Sequence, residues 1–278
     1  MGTRRRSRES QLVEDLREKI RQIVEEAKIE GSSLTGRSRR ELIDIIDKSV
    51  NELTEVLTEL DPTKQPTSIF DPADPNTVGR FIALALVAQE RKPLATVEPF
   101  YGSGIYAIYY NGEFSLYEPI RKTETPIYVG KTAPEVSHAR TAREQGTKLA
   151  ARLTEHRRSI TRAASTLNIS DFEFRALVVQ SGWETAAEDF LVKTFHPIWN
   201  NLVYGFGKHG DAAATRANRR SPWDTLHPGR SWAGALTLVD AKSREQIERE
   251  LEDHFTSHQV YDDIDSVLKS FVEGLRQV

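Results

Sequence analysis

Cysteine is missing from the 278 residues, and methionine occurs once. Disulfide frameworks and thiolate metal sites are therefore excluded. Long apolar runs are missing too: the longest clean one, Phe81 to Ala88, is too short to span a bilayer. Four arginines near the start (Arg4, Arg5, Arg6 and Arg8) have no apolar segment behind them, so no secretory signal is expected. No internal repeat is visible. These absences predict a cytoplasmic protein, with one large domain or a catalytic domain carrying helical additions.

A large net charge is also lacking, since the 38 basic and 41 acidic side chains leave a formal −3. The distribution is uneven. Residues 131–232 carry 15 basic and 10 acidic side chains, whereas residues 233–278 carry 5 and 10. A local positive excess in mid-chain is where a phosphate backbone would be met.

The first sixty residues read as two amphipathic helices. Leu12, Val13, Leu16, Ile20, Ile23 and Val24 recur at helical spacing up to Gly31. A second helix runs to Leu60, with Ser38 as its cap and Glu41 at the capping-box distance. A helical hairpin over 1–60, covering a core or a dimer seam, is expected. Residues 61–76 hold four prolines and read as a linker or strap, with Phe70 as anchor. Asn76 or Thr77 then caps a short apolar helix, which completes a 61–100 segment. Strands are expected over 103–110, 113–118 and 126–130, paired antiparallel in that order, with Asn111-Gly112 as a hairpin turn. An insertion follows at 132–146, then helix 147–167, strand 171–179 and helix 183–195. Residues 204–230 are rich in glycine, arginine and proline, and two acidic amphipathic helices close the chain over 233–278.

Within this order stand four landmarks. Gly104-Ile-Tyr106 is followed by Tyr128-Val-Gly130, and Arg152 and His156 lie four apart on one helix face. Glu188 precedes Pro197 by nine residues and Asn200 by twelve. Together they closely resemble the GIY-YIG nuclease family, with the second tripeptide in its YVG form. The resemblance implies an α+β fold: a small central antiparallel sheet flanked by helices, with the catalytic core over 101–232 and helical additions at both ends.

It also implies roles for Tyr106, Tyr128, Lys131, Arg152, His156, Glu188 and Asn200. Phosphodiester hydrolysis needs a deprotonated oxygen nucleophile, charge stabilisation at the phosphoryl group and help for the leaving oxygen. Glu188 would hold one divalent ion, Mg2+ with Mn2+ as substitute. Arg152 would hold the scissile phosphate. Tyr106 would be the general base, although an unperturbed phenol titrates near 10. Either Lys131, Arg152 or the metal favours phenolate, or the proton passes on in a relay. His156 either accepts that proton or hydrogen-bonds the tyrosine. Tyr128 would position water or phosphate, and Asn200 would orient the sheet.

The phrases FDPADPNTV and SPWDTLHPGRSWA resemble type II restriction endonucleases within this family, particularly those cutting GC-rich palindromes such as CCGCGG. Reading G·C pairs calls for bidentate arginine and lysine donors. Lys208, His209, Arg216, Arg219, Arg220, His227 and Arg230 would supply these. Asp224 either accepts from cytosine or fixes its own turn. Arg140 and Arg143 in the insertion either touch DNA or face solvent. A palindrome read through one active site per chain implies a homodimer on double-stranded DNA. A structure-specific repair or recombination nuclease, and a DNA-binding protein that no longer cleaves, are the alternatives.

Overall fold

The periodic first sixty residues form two long helices, α1 (Gly2–Gly31) and α2 (Gly36–Leu60). The computed structural model describes residues 2–31, 33–60, 63, 69–180, 182–207, 219–234 and 239–276. Contacts divide the chain into two units, 1–68 and 69–278. In the first unit, the turn closes through the Ser33 N–H donating to the Glu30 carbonyl at 3.0 Å. Thr35 rather than Ser38 caps α2: its hydroxyl accepts from the Ser38 N–H at 3.5 Å, and the helix starts three residues earlier than a Ser38 cap would allow. The two helices do not pack along their lengths as a hairpin would, and α2 buries no residue.

In the second unit, Asp74 caps helix α3 (Pro75–Val87) by accepting from the Thr77 N–H at 2.8 Å. Pro75, with φ already helical, takes the first position, so the helix starts ahead of the expected Asn76 or Thr77 cap. Phe70 is 56% exposed, so it is not the buried anchor expected. The central sheet has four antiparallel strands in the order β1-β4-β2-β3. They are β1 (Lys92–Pro93), β2 (Gly104–Tyr110), β3 (Tyr128–Thr132) and β4 (Phe172–Val178).

The expected strand 113–118 is absent, and Asn111-Gly112 makes no hairpin. Residues 115–120 form a 3-10 helix that contains Pro119, a residue without an N–H for a ladder. Tyr117 is instead drawn into the core, where its hydroxyl accepts from the Trp199 indole at 3.0 Å. The Asn111 N–H donates to Asp171 at 2.8 Å, which extends the β2–β4 ladder. Strand β2 is thus central, flanked by β3 and β4.

All seven residues of β2 are buried because both faces of the sheet are covered. Tyr106, Ile108 and Tyr110 face one cluster with Trp199, Phe206, Trp223 and helix α4 (Lys148–Arg162). Ile105, Ala107 and Tyr109 face another, built from α3, helix α5 (Glu184–Phe195) and helix α9 (Ile264–Arg276). Pro197 interrupts α5 before the short helix α6 (Ile198–Asn201). Two-residue strands β5 (Arg219–Arg220) and β6 (Val239–Asp240) pair in parallel, and helix α7 (Pro222–Leu226) follows β5. Helix α8 (Arg244–Ser257) adds Ile247 and Leu251 to the first cluster. No helix among the described residues is long and apolar enough to cross a membrane.

Candidate active site

Alternation along β2 and β3 brings the two motif tyrosines to one sheet face. Tyr106 and Gly130 are cross-strand partners, and a Cβ at Gly130 would lie 2.4 Å from the Tyr106 hydroxyl. The glycine of the second tripeptide is therefore a space requirement of the tyrosine in the first. Gly104 has φ +150°, and a Cβ there would meet the Leu177 carbonyl at 2.2 Å. Both motif glycines are set by backbone and ring contacts inside the sheet.

Helix α4 lays Arg152 and His156 against this face. The Tyr106 hydroxyl and His156 Nε2 are 2.7 Å apart in a buried hydrogen bond. The Tyr106 and Tyr128 ring centroids lie 6.1 Å apart, and His156 lies 5.2 Å from the Tyr128 centroid. Burial raises the Tyr106 pKa well above the ordinary phenol value, and Tyr128 adds to the rise, while Arg152 opposes it. Burial raises Tyr128 as well, against the same arginine, and the Glu188 charge adds to that rise. Both hydroxyls are therefore neutral at physiological pH.

Arg152 is half-buried. Its guanidinium donates to Glu155 at 2.9 Å and to the Gly207 carbonyl. Phe206 stacks on His156, with centroids 4.4 Å apart and planes inclined by 18°. Neither Phe206 nor Gly207 stood out in the sequence, since their partners lie about fifty residues away. Only the unusual GFG spelling signalled them.

Helix α5 supplies the carboxylate. Glu188 pairs with Lys131 at 3.0 Å, and the same ammonium donates to the Thr185 hydroxyl at 3.0 Å. Thr185, one helical turn before Glu188, was also missed. On one side of this pair lies an open hollow of about 440 Å³, lined by Glu188, Asp189, Lys193, His196 and Asn200. On the other lies one of about 400 Å³ that includes Lys131 and Thr185. Asn200 accepts from the Val129 N–H at 2.9 Å and donates to its carbonyl at 2.8 Å. It acts as one rung of a ladder beside β3, so its amide is committed to backbone. No group of three or more acidic or histidine side chains that could hold a metal occurs among the described residues. Glu188, with Asp189 beside it at the open hollow, would suit a hard ion that keeps most of its waters, as Mg2+ does.

The residues expected to read bases part company. His227 is 0% exposed, with Nε2 hydrogen-bonded to Tyr117 at 2.6 Å and Nδ1 to Thr166 at 2.9 Å. Arg230 is 2% exposed; it donates to Asp224 at 2.6 Å and to Gly205 at 3.1 Å, above the Trp223 ring. Both are core residues here, and their assignment to base reading is corrected. Asp224 fixes its turn, accepting also from the Ser221 hydroxyl at 2.5 Å. Arg220 is half-buried against Asp240, and Arg219 is exposed. Lys208, His209 and Arg216 lie outside the described residues.

Arg140 and Arg143 are exposed on the 132–146 segment. Gln145 moors that segment, accepting from the Ser103 N–H and donating to the Val179 carbonyl, each at 2.9 Å.

A model of the family described as the Eco29kI GIY-YIG domain matches residues 98–255, a span that holds every residue of the tyrosine, arginine, histidine and carboxylate cluster. A search of curated protein sequences returns no match.

Proposed function

The chain belongs to the Eco29kI GIY-YIG family of restriction-type DNA endonucleases, and from that premise we propose that it cuts double-stranded DNA at a short GC-rich palindrome, CCGCGG being the first sequence to try. The observation that carries the reading is the buried 2.7 Å contact between Tyr106 and His156, beside Arg152 and within electrostatic reach of Glu188 through Tyr128.

Arg152 holds a non-bridging oxygen of the scissile phosphate by charge-assisted hydrogen bonds. Tyr106 takes the proton of the attacking water. Its environment favours the neutral phenol, so the hydroxyl proton passes to His156 Nε2 as the new one arrives, a relay rather than a standing phenolate. Tyr128 orients water or phosphate at the cleft mouth. Glu188 and the space beside it hold one divalent ion, Mg2+ or Mn2+, which when bound supplies positive charge for the phosphoryl and leaving oxygens. Lys131 and Thr185 set the position of the Glu188 carboxylate, and Asn200 keeps β3 in register beneath it. Exposed Arg219, with Arg140 and Arg143, meets phosphate or base edges, alongside Lys208, His209 and Arg216. One such cleft per chain cuts one strand, so two copies act on a palindrome.

Incubation with supercoiled plasmid tests this directly. With Mg2+, discrete fragments whose ends share one GC-rich sequence are expected, and EDTA should stop their formation. Cleavage confined to branches or flaps would assign the cleft to repair, and retarded but intact DNA would assign it to binding alone. Glu188→Ala should lower the cleavage rate by about a thousandfold or more while DNA retardation persists.

A further inference from the structure

Lys131 leaves the sheet on the face away from the tyrosines. It pairs across strands with Ile105, whereas Tyr106 pairs with Gly130, so alternation turns its side chain opposite to Tyr106 and Tyr128. There its ammonium meets the Glu188 carboxylate and the Thr185 hydroxyl, each at 3.0 Å. The pair is not sealed, for the lysine side chain is 35% exposed and the glutamate 22%. Ion pairs that open to water are held weakly.

Two hollows flank it. One is lined by Glu188, Asp189, His196 and Asn200, the place argued above for a divalent ion. The other is lined by Lys131, Thr185, Ser137 and His138. Glu184 also lines the second, but it is buried and its carboxylate accepts from the Gly182 N–H at 2.7 Å. The pair thus sits between two open spaces, its carboxylate at one and its ammonium at the other.

We propose that Lys131 is an exchangeable counter-ion. It neutralises Glu188 until that carboxylate turns to a divalent ion, then moves into the second hollow, keeps its bond to Thr185 and takes a DNA phosphate other than the scissile one. This rests on the ion assignment above and adds a phosphate site to it.

The charges favour such an exchange. A carboxylate matched by an ammonium at 3.0 Å presents little net charge to a cation, and the matched lysine presents little to a phosphate. Ion and phosphate release both at once, because one takes the carboxylate and the other the ammonium. Binding of either therefore favours the other. Lysine suits the task as a point charge on a flexible stem, where an arginine fork would grip the carboxylate with two bonds. Ser137 and His138 offer further donors to a phosphate in the same hollow.

Mn2+ titration of the full chain without DNA, followed by the paramagnetic resonance of the free ion, reads the exchange apart from cleavage. Lys131→Met should tighten Mn2+ binding about fivefold, the scale of a partly exposed ion pair. Lys131→Arg should weaken it, because the fork holds the carboxylate harder. A lysine that merely props the site would give weaker binding in both variants, and that result overturns the proposal, as does an affinity that neither substitution changes. Retardation of a short GC-rich duplex in EDTA reads the other half. Glu188→Gln frees the ammonium, so the slope of log affinity against log salt should steepen by about 0.9, one phosphate contact. Adding Lys131→Met should cancel that gain; a gain that survives is plain loss of repulsion and overturns the phosphate site. Glu188→Ala tests the premise by itself and should abolish Mn2+ binding. Binding that persists in it would remove the ion assignment and this inference together, whereas failure of the lysine variants alone leaves the ion assignment intact.

Discussion

The two units use the same kinds of apolar residue to opposite ends. In residues 69–278 most of them pack into two clusters on either side of β2, and polar groups follow them inward: His156, His227, Asp224 and Arg230 are all buried. In residues 1–68 comparable leucines, isoleucines and valines stay in contact with water. Unit 2 therefore stores its stability in internal packing and in polar groups that have lost their hydration. Unit 1 keeps its apolar surface available to something else. Every histidine of the chain lies beyond residue 68, so acid should distinguish the two.

Acid should produce the largest effect. Burial, then Arg244 and Arg230, pull the His227 pKa down to about 3, and burial with His258 and His196 pulls His254 to about 4. Above pH ~6.5 these imidazoles are neutral whether the chain is folded or not, and they add no pH dependence. Below it the unfolded chain binds protons that the folded chain refuses, so stability falls by about 1.4 kcal/mol per pH unit for each group. The loss from His227 continues to about pH 3 and reaches roughly 5 kcal/mol. Urea unfolding monitored by tryptophan fluorescence from pH 7 to 4 should show this slope, and His227→Gln should flatten it. A slope unchanged by that substitution would remove His227 from the account.

A medium effect is expected at Asn200. Replacing it by alanine leaves the Val129 N–H and carbonyl without their present partners, at a cost of about 1–3 kcal/mol. The same urea titration checks it, and a change under 0.5 kcal/mol would mean that water replaces the amide without loss. The smallest effect belongs to unit 1. Leu57→Ala on the exposed face of α2 should change the stability read by tryptophan fluorescence by no more than about 0.5 kcal/mol, as exposed substitutions do.

Sequence pattern carried much of the fold, and the limits were physical. The β2 run of β-branched and aromatic residues gave its strand, and the α4 and α5 periodicities gave their helices. Leu116 and Tyr117 looked like strand continuation because aromatic residues suit strands and buried turns alike. Pro119 was the local sign against it. At the site, Tyr106, Arg152, His156 and Glu188 were legible through their order along the chain. Phe206, Gly207 and Thr185 were not, because each matters through a partner remote in sequence or through a geometry that composition does not encode. His227 and Arg230 were misread for a related reason: a basic residue in a glycine- and proline-rich stretch has the same spelling whether it meets solvent or a buried carboxylate. Asp224, six residues ahead of Arg230, was the available clue.

Arg152 enters the encounter with its hands full. Glu155 and the carbonyl of Gly207 already receive its guanidinium protons, so the phosphate of the proposed contact would compete with incumbents instead of settling into a vacancy. The affinity it reaches is a difference between two sets of hydrogen bonds. Trimming Glu155 to alanine should tighten the grip on DNA, because it removes one of those competitors.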